Sequence, residues 1–173
     1  MKVECELNGH TCYLPEFIAH FFTKSSLMYC STINSNRKPH IQPIMFVIEK
    51  NKCILFFLAY NKSITATNLY ANPNVAFTID KTHPKNPFWN NGIMIEAISQ
   101  MSKSQEDIQM CYDNLQKKYG SAIITKVLGV DIISNYSRVR ALPTKIIFWK
   151  GPYFKKFKCK YKKKEILEKL LKK

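Results

Sequence analysis

Glycine, acidic residues and long apolar runs are all scarce in this chain, and each scarcity removes a class of function. Only five glycines occur in 173 residues. None forms a G-x-G-x-x-G or Walker-type loop, so dinucleotide and P-loop fingerprints are absent. Twelve acidic residues stand against twenty-seven lysines and arginines, and few of them fall in the middle of the chain. The four histidines, His10, His20, His40 and His83, have no serine or cysteine in a nucleophile elbow, which disfavours a hydrolase. No stretch approaches the roughly 18 apolar residues of a membrane span. The opening MKVECELNGH is polar and acidic where a secretory leader is basic and then apolar. A cytoplasmic protein with no transmembrane segment is expected. The six cysteines (Cys5, Cys12, Cys30, Cys53, Cys111, Cys159) lack paired spacing, so reduced thiols are expected. Cys5, His10 and Cys12 match no zinc pattern and no fourth ligand is evident, so no metal is expected.

What the chain does contain is an ordinary globular composition, 46% apolar and 23% charged, enough for one domain with a real core. The formal charge of +15 is unevenly placed. Residues 150–173 hold eleven lysines against two glutamates, more than half of the excess. The rest is mildly basic, which suits an anionic ligand such as a phosphate. The division expected is a domain over residues 1–149 and a Lys-rich tail over 150–173. In that tail Ile166, Leu167, Leu170 and Leu171 recur at helical spacing among lysines, the pattern of a basic amphipathic helix.

Apolar periodicity supplies the elements. Phe17, Ile18, Phe21 and Phe22 follow Pro15 and Glu16 at helical spacing. Residues 27–32 read as a strand, 33–38 as a turn, and the run from His40 to Ile48 as an imperfect strand. Cys53 to Ala59 is continuously apolar, the mark of a strand buried on both faces. Ser63 N-caps a two-turn helix that stops before Asn72 and Pro73. Residues 74–80 and 92–99 are strands around a Pro- and Asn-rich loop. Ser104 and Asp107 form a capping box for a helix ending at Gly120. Residues 123–130 fit helix or strand, and 136–149 fit one or two strands interrupted at Pro143. The chain is therefore α+β, mainly β, with a sheet that must close or be covered.

Chemistry concentrates in two segments, residues 37–47 and 55–69, which the pattern places side by side in the sheet. In the second, a strand delivers Lys62, Ser63 and Thr65 to a helix N-terminus, where free N–H groups and the dipole favour a phosphate. In the first, Pro43 removes a ladder N–H and leaves an irregular edge for a flat ring.

Taken in order, P-H-x-x-P at Pro39 to Pro43, the buried strand, S-x-T-x-x-N-L at Ser63 to Leu69 and N-P-x-V at Asn72 to Val75 resemble the pyridoxamine 5'-phosphate oxidase-like FMN-binding split β-barrel superfamily. The resemblance runs from about Leu14 to Trp149. It implies a six-stranded antiparallel split barrel with flanking helices, a homodimer, and flavin at the dimer interface. It implies that His40, Ile41, Gln42 and Pro43 line the ring and ribityl chain, and that Leu58 and Ala59 contact the flavin from the next strand. Lys62, Ser63, Ile64 and Thr65 would hold the phosphate with Asn68 behind them, and Trp89 on the 86–92 loop, beside Phe88, would cover the ring; Trp149 is a second candidate. The oxidase's S-R-K is S-I-T here, its Arg gives way to His40, and no Arg follows Arg140. Pyridoxamine-phosphate oxidase activity itself is not expected.

The function implied is an FMN-dependent oxidoreductase or flavin reductase acting on a small-molecule substrate or electron donor, with a deazaflavin or haem as alternative cofactors. Plainer readings stand beside it. Ser63 and Thr65 serve as helix-start residues in any protein, His40 as a structural histidine, and Phe88 and Trp89 as interface packing. The alternatives in function are a non-enzymatic module binding nucleic acid, or an anionic membrane surface, through the basic tail, and a flavin-binding protein without turnover.

Overall fold

The structure, a computed structural model, describes residues 4–7, 10–13, 15–49, 53–81 and 85–159. In chain order its elements are β1 (Glu4–Leu7), β2 (His10–Tyr13), α1 (Glu16–Lys24), β3 (Met28–Ile33), β4 (Pro39–Ile44), β5 (Val47–Glu49), β6 (Ile54–Tyr60), α2 (Ile64–Ala71) and β7 (Asn74–Lys81). A 3-10 turn (Pro87–Trp89) leads to β8 (Asn91–Ser102), α3 (Gln105–Tyr119), α4 (Ser121–Leu128), α5 (Ile132–Asn135), β9 (Tyr136–Lys150) and β10 (Tyr153–Cys159). Every strand pairing is antiparallel, along the path β2-β1-β10-β9-β8-β7-β3-β4, with β6 joining β9 and β5 joining β6. The mainly-β α+β class and the antiparallel split-barrel architecture hold.

The strand count differs from six: ten strands lie in the described sheet. One cause is the run His40 to Ile48, which breaks at Met45 and Phe46 into β4 and β5, each with its own partner. The break is held from a distance. The Tyr119 hydroxyl accepts from Phe46 N at 3.1 Å and donates to Phe46 O at 2.9 Å. Lys118 Nζ donates to Phe46 O at 3.0 Å and to Phe22 O at 3.3 Å, and sits 3.6 Å from the Phe46 ring centroid. With its peptide groups satisfied by α3, Phe46 needs no strand ladder. The other cause is the extension of the sheet past β9 by β10, β1 and β2.

Two clusters form the interior. The barrel core takes Leu55, Phe57 and Ala59 from β6, Phe77 and Ile79 from β7, Ile93 and Ile95 from β8, and Ile18 and Phe22 from α1. The second cluster takes Ile108, Cys111 and Leu115 from α3 and Ile124 from α4, and packs against Phe56 and Leu58. Strand β6 is thus covered on both faces, as its unbroken apolar run requires. Residues 123–130 resolve as helix α4 ending near Gly129 (φ 80°), and 136–149 as one strand. Pro143 is accommodated because the register between β8 and β9 shifts at Glu96/Ala97, where Thr144 donates to Glu96 O.

The tail expected from residue 150 onward begins as strand, since Tyr153 to Lys158 pair with Lys150 to Lys145. Alternating side chains and a tight turn at Gly151 (φ 54°) favour a hairpin there over a helix. The amphipathic helix expected at 162–173 lies outside the described residues.

Two expectations about stability follow. A Cβ at Gly92 would collide with the Trp149 ring and with Ile79 O. Gly92→Ala should cost about 1–3 kcal/mol of overpacking, read as a lower denaturant midpoint. Burial pushes the Lys118 ammonium down to about 8 from 10.5. Between those two pH values the unfolded chain binds more protons than the folded one, so stability rises with pH. Measured against Lys118→Met, the wild-type midpoint should climb from pH 8 to pH 10.

Candidate functional site

The turn joining β6 to α2 is built by local chemistry. Ser63 adopts an extended conformation, its Oγ accepts from Ala66 N at 3.1 Å, and its N–H is taken by Tyr60 O. Helix geometry gives the Ile64 and Thr65 N–H groups no intrahelical acceptor. Lys62 is exposed beside them. Thr65 is fully buried, and its Oγ1 has no hydrogen-bond partner. A buried hydroxyl left unpaired costs about 1–3 kcal/mol, which a hydrogen bond to a bound polar group would repay. The helix N-terminus, the neighbouring ammonium and the orphan hydroxyl together suit an anion with several acceptor oxygens.

The rest of the chain fixes this turn. Asn61 N donates to Asn135 O, Asn61 Nδ2 to Ser134 O, and Ser137 Oγ to Asn61 Oδ1 at 2.7 Å. Tyr60 and Tyr136 stack edgewise with ring centroids 5.6 Å apart. Burial, helped by Tyr60, pushes the Tyr136 phenol upward. On the far side, buried Asn68 donates from Nδ2 to Thr32 Oγ1 at 2.9 Å, which ties α2 to β3.

Thr32 is also the residue opposite His40 in the β3–β4 ladder. The second turn of α2, through Asn68, and the strand of His40, Ile41, Gln42 and Pro43 therefore meet the same residue of β3. The expected adjacency of the two segments holds at one end only, where Val47 pairs with Phe56; β4 itself pairs with β3, because the Phe46 break sends β5 alone to β6. Along β4, Ile41 and Pro43 are exposed and His40 and Gln42 half-buried, with His40 Nε2 and Gln42 Oε1 3.5 Å apart. β4 ends the strand path and so presents a free edge among the described strands.

Leu58 and Ala59 do not share a surface, since strand alternation sends them to opposite faces. Ala59 is in the barrel core and Leu58 packs on the α3 cluster. What β6 does offer is backbone: β5 pairs only with Ile54 to Phe56, so the Phe57 to Tyr60 edge facing away from β9 has no strand partner among the described residues. Trp89, 60% exposed, and Phe88 sit in the 3-10 turn before β8. Asn91 there pairs with Lys150, at the opposite end of β9 from the Tyr136 that flanks the turn. One chain does not bring Trp89 to Lys62 and Thr65. Trp149 is half-buried against Gly92 at that same far end. An apolar cavity of about 540 Å³ between α1, β5 and α3, lined by Phe22, Val47, Phe56, Met110 and Lys118, is also separate from the turn.

Sequence reasoning missed Thr32, Asn61 and Ser137. All three are short polar residues whose roles appear only once distant strands are paired; the Asn61–Ser137 bond spans 76 positions. Among the described residues no helix is long and apolar enough to cross a membrane.

The family model described as pyridoxamine 5'-phosphate oxidase matches residues 14–150. No curated protein matches the chain. Solved structures share the fold at low identity. A conserved hypothetical protein from Mycobacterium tuberculosis is 16% identical with a TM-score of 0.66, covering 81% of this chain and 86% of its own. An F420 reductase is 16% identical with a TM-score of 0.61, covering 77% and 98%. The haem-storage protein HutZ from Vibrio cholerae is 19% identical with a TM-score of 0.61, covering 75% and 89%.

Proposed function

The chain belongs to the pyridoxamine 5'-phosphate oxidase family, and from that premise we propose that it is a homodimeric FMN-binding oxidoreductase or flavin reductase. The observation that carries this reading is the unpaired, fully buried Thr65 hydroxyl beside the α2 N-terminus and Lys62. In it, the Ile64 and Thr65 N–H groups, the Thr65 hydroxyl and the Lys62 ammonium hold the FMN phosphate. Ser63 shapes the turn with its cap, and Asn68 braces the helix against β3. His40 to Pro43 on the β4 edge give the ring a surface, and the unpaired edge of β6 supplies backbone hydrogen-bonding groups.

FMN, when bound, supplies the electron chemistry; the protein supplies binding, orientation and exclusion of water. A ring on β4 would be open to solvent in a single chain, where Tyr29 is 51% and Ile41 63% exposed. A second copy covers that apolar edge, and its loop with Phe88 and Trp89 is the candidate lid. Arg140, opposite Phe56 on β9, keeps positive charge beside β6, which favours an anionic cofactor.

The test is the visible spectrum of the protein as purified, followed by denaturation and identification of the released pigment. Two broad bands and free FMN are expected, at one flavin per chain and two per dimer by light scattering. The F420 reductase and HutZ share this fold, so a single deazaflavin band or a sharp Soret band would replace the cofactor while keeping the fold. Colourless protein that takes up no added FMN at micromolar concentration would overturn the reading.

A further inference from the structure

The cavity between α1, β5 and α3 has no part in the Ser63 turn, and its walls are chemically uneven. Phe22 from α1, Val47 from β5, Phe56 from β6 and Met110 from α3 make much of the lining of this space of about 540 Å³ apolar. Met110, Asn114, Lys117 and Lys118 fall on one stripe of α3, so a single helix brings both apolar and polar groups to it. The charged groups on the walls are Glu49, Lys117 and Lys118. Two ammoniums against one carboxylate leave a formal excess of one positive charge, which a monoanion balances.

Lys118 is the distinctive member. Its half-buried Nζ donates to Phe46 O at 3.0 Å and Phe22 O at 3.3 Å, and stands 3.6 Å from the Phe46 ring centroid. All these partners are neutral, and among the described residues no carboxylate forms an ion pair with it. An ammonium has three N–H donors, so one remains for a guest. A desolvated cation without a counter-ion is costly, and burial accordingly pulls Lys118 down to about 8. Asn114 Nδ2 donates to Met110 O at 2.9 Å, and its second N–H is a further donor.

We propose that this cavity binds a small apolar monocarboxylate, whose carboxylate takes the remaining Lys118 N–H and whose body lies against Phe22, Val47, Phe56 and Met110. Pockets of about 300–1,000 Å³ with mostly apolar walls and a few fixed polar groups are the usual form of a small-molecule site. A phosphate dianion suits it less well, since Glu49 shares the walls and the charge to be balanced is one.

The experiment titrates the full-length protein with octanoate and with 1-octanol, reading heat and the methyl resonances of isotope-labelled methionine. Octanoate should bind more tightly than octanol and shift the Met110 methyl, while Met94 on β8, which does not line the cavity, stays unmoved. Added FMN should not change octanoate affinity, because the cavity is apart from the Ser63 turn; the result is thus independent of the flavin reading. In wild-type protein octanoate affinity should fall about tenfold from pH 7 to pH 9 as Lys118 loses its proton, with octanol unaffected. The other titratable groups facing Lys118 or the cavity among the described residues are Glu49, Lys117, Cys111 and Tyr119. Burial holds Cys111 and Tyr119 up at about 12, above this range, and Lys117→Met should keep the slope. Lys118→Met should weaken octanoate about 10- to 100-fold, the worth of one charge-assisted hydrogen bond, and still bind octanol; if that variant does not fold, the wild-type pH slope decides. Octanoate bound no more tightly than octanol, an affinity flat with pH, or an unshifted Met110 methyl would overturn the proposal.

Discussion

Lys62→Ala and Thr65→Val should each weaken FMN binding while moving stability in ways that a purely structural role would not. Lys62 is exposed, so its truncation should change stability by less than about 0.5 kcal/mol. A charge-assisted bond to phosphate is worth about 1.5–3 kcal/mol, which makes the expected loss of affinity roughly 10- to 100-fold. Thr65→Val keeps the shape and removes a buried hydroxyl that has no partner in the protein. The apo protein should therefore become more stable, by about 1 kcal/mol or more. FMN affinity should fall about tenfold, because the partner that would repay burial of the hydroxyl is the phosphate. The double variant should lose on the order of a hundredfold or more, subject to coupling between adjacent groups. Fluorescence quenching of FMN on titration gives the affinities, and denaturant midpoints of apo protein give the stabilities. A Thr65→Val variant less stable than wild type, with unchanged FMN affinity, would return the residue to a packing role.

The parts of this site readable in the sequence are those set by short-range rules. Ser63 caps α2 and Ser104 caps α3 because a hydroxyl before a helical run has a local job. The unbroken apolar run of β6 announced burial on both faces. What the sequence hides depends on groups far along the chain. The division of β4 from β5 is set by Lys118 and Tyr119, more than seventy positions from Phe46, and no local propensity marks Met45 and Phe46 as a break. The same holds for β1, which is only four residues long, and for β10, where the adjacent Lys155 and Lys156 break the alternation; they become strands through their pairing.

Removing Asp107 should destabilise the protein far more than removing the arginine it serves. Arg138 Nη1 donates to Asp107 Oδ1 at 2.6 Å, with side-chain exposures of 12% and 30%. Burial pulls the guanidinium pKa down and Asp107 pulls it back up. Arg138 Nε is buried without a partner, and the guanidinium carbon is 5.6 Å from the Phe56 ring centroid. Asp107→Ala leaves a largely buried cation with no carboxylate. The cost of such a break is about 3–5 kcal/mol when fully buried, and the partial exposure of Asp107 reduces it to roughly 2–3 kcal/mol. Arg138→Met removes both the charge and the orphan Nε and places an apolar chain of similar length against Phe56 and the α3 cluster. Its expected cost is within about 1 kcal/mol, with net stabilisation allowed by the same argument. The double variant should resemble Arg138→Met alone, since the penalty in Asp107→Ala exists only while the arginine is present. Denaturant midpoints of the three proteins decide it, and equal losses in the two single variants would contradict the reasoning. Asp107 is in the first turn of α3 and Arg138 is opposite Leu58 on β6. Asp107→Ala should therefore speed hydrogen exchange in α3 first, uncovering the outer face of β6, while the Ser63 turn, pinned separately through Asn61 and Ser137, keeps its protection.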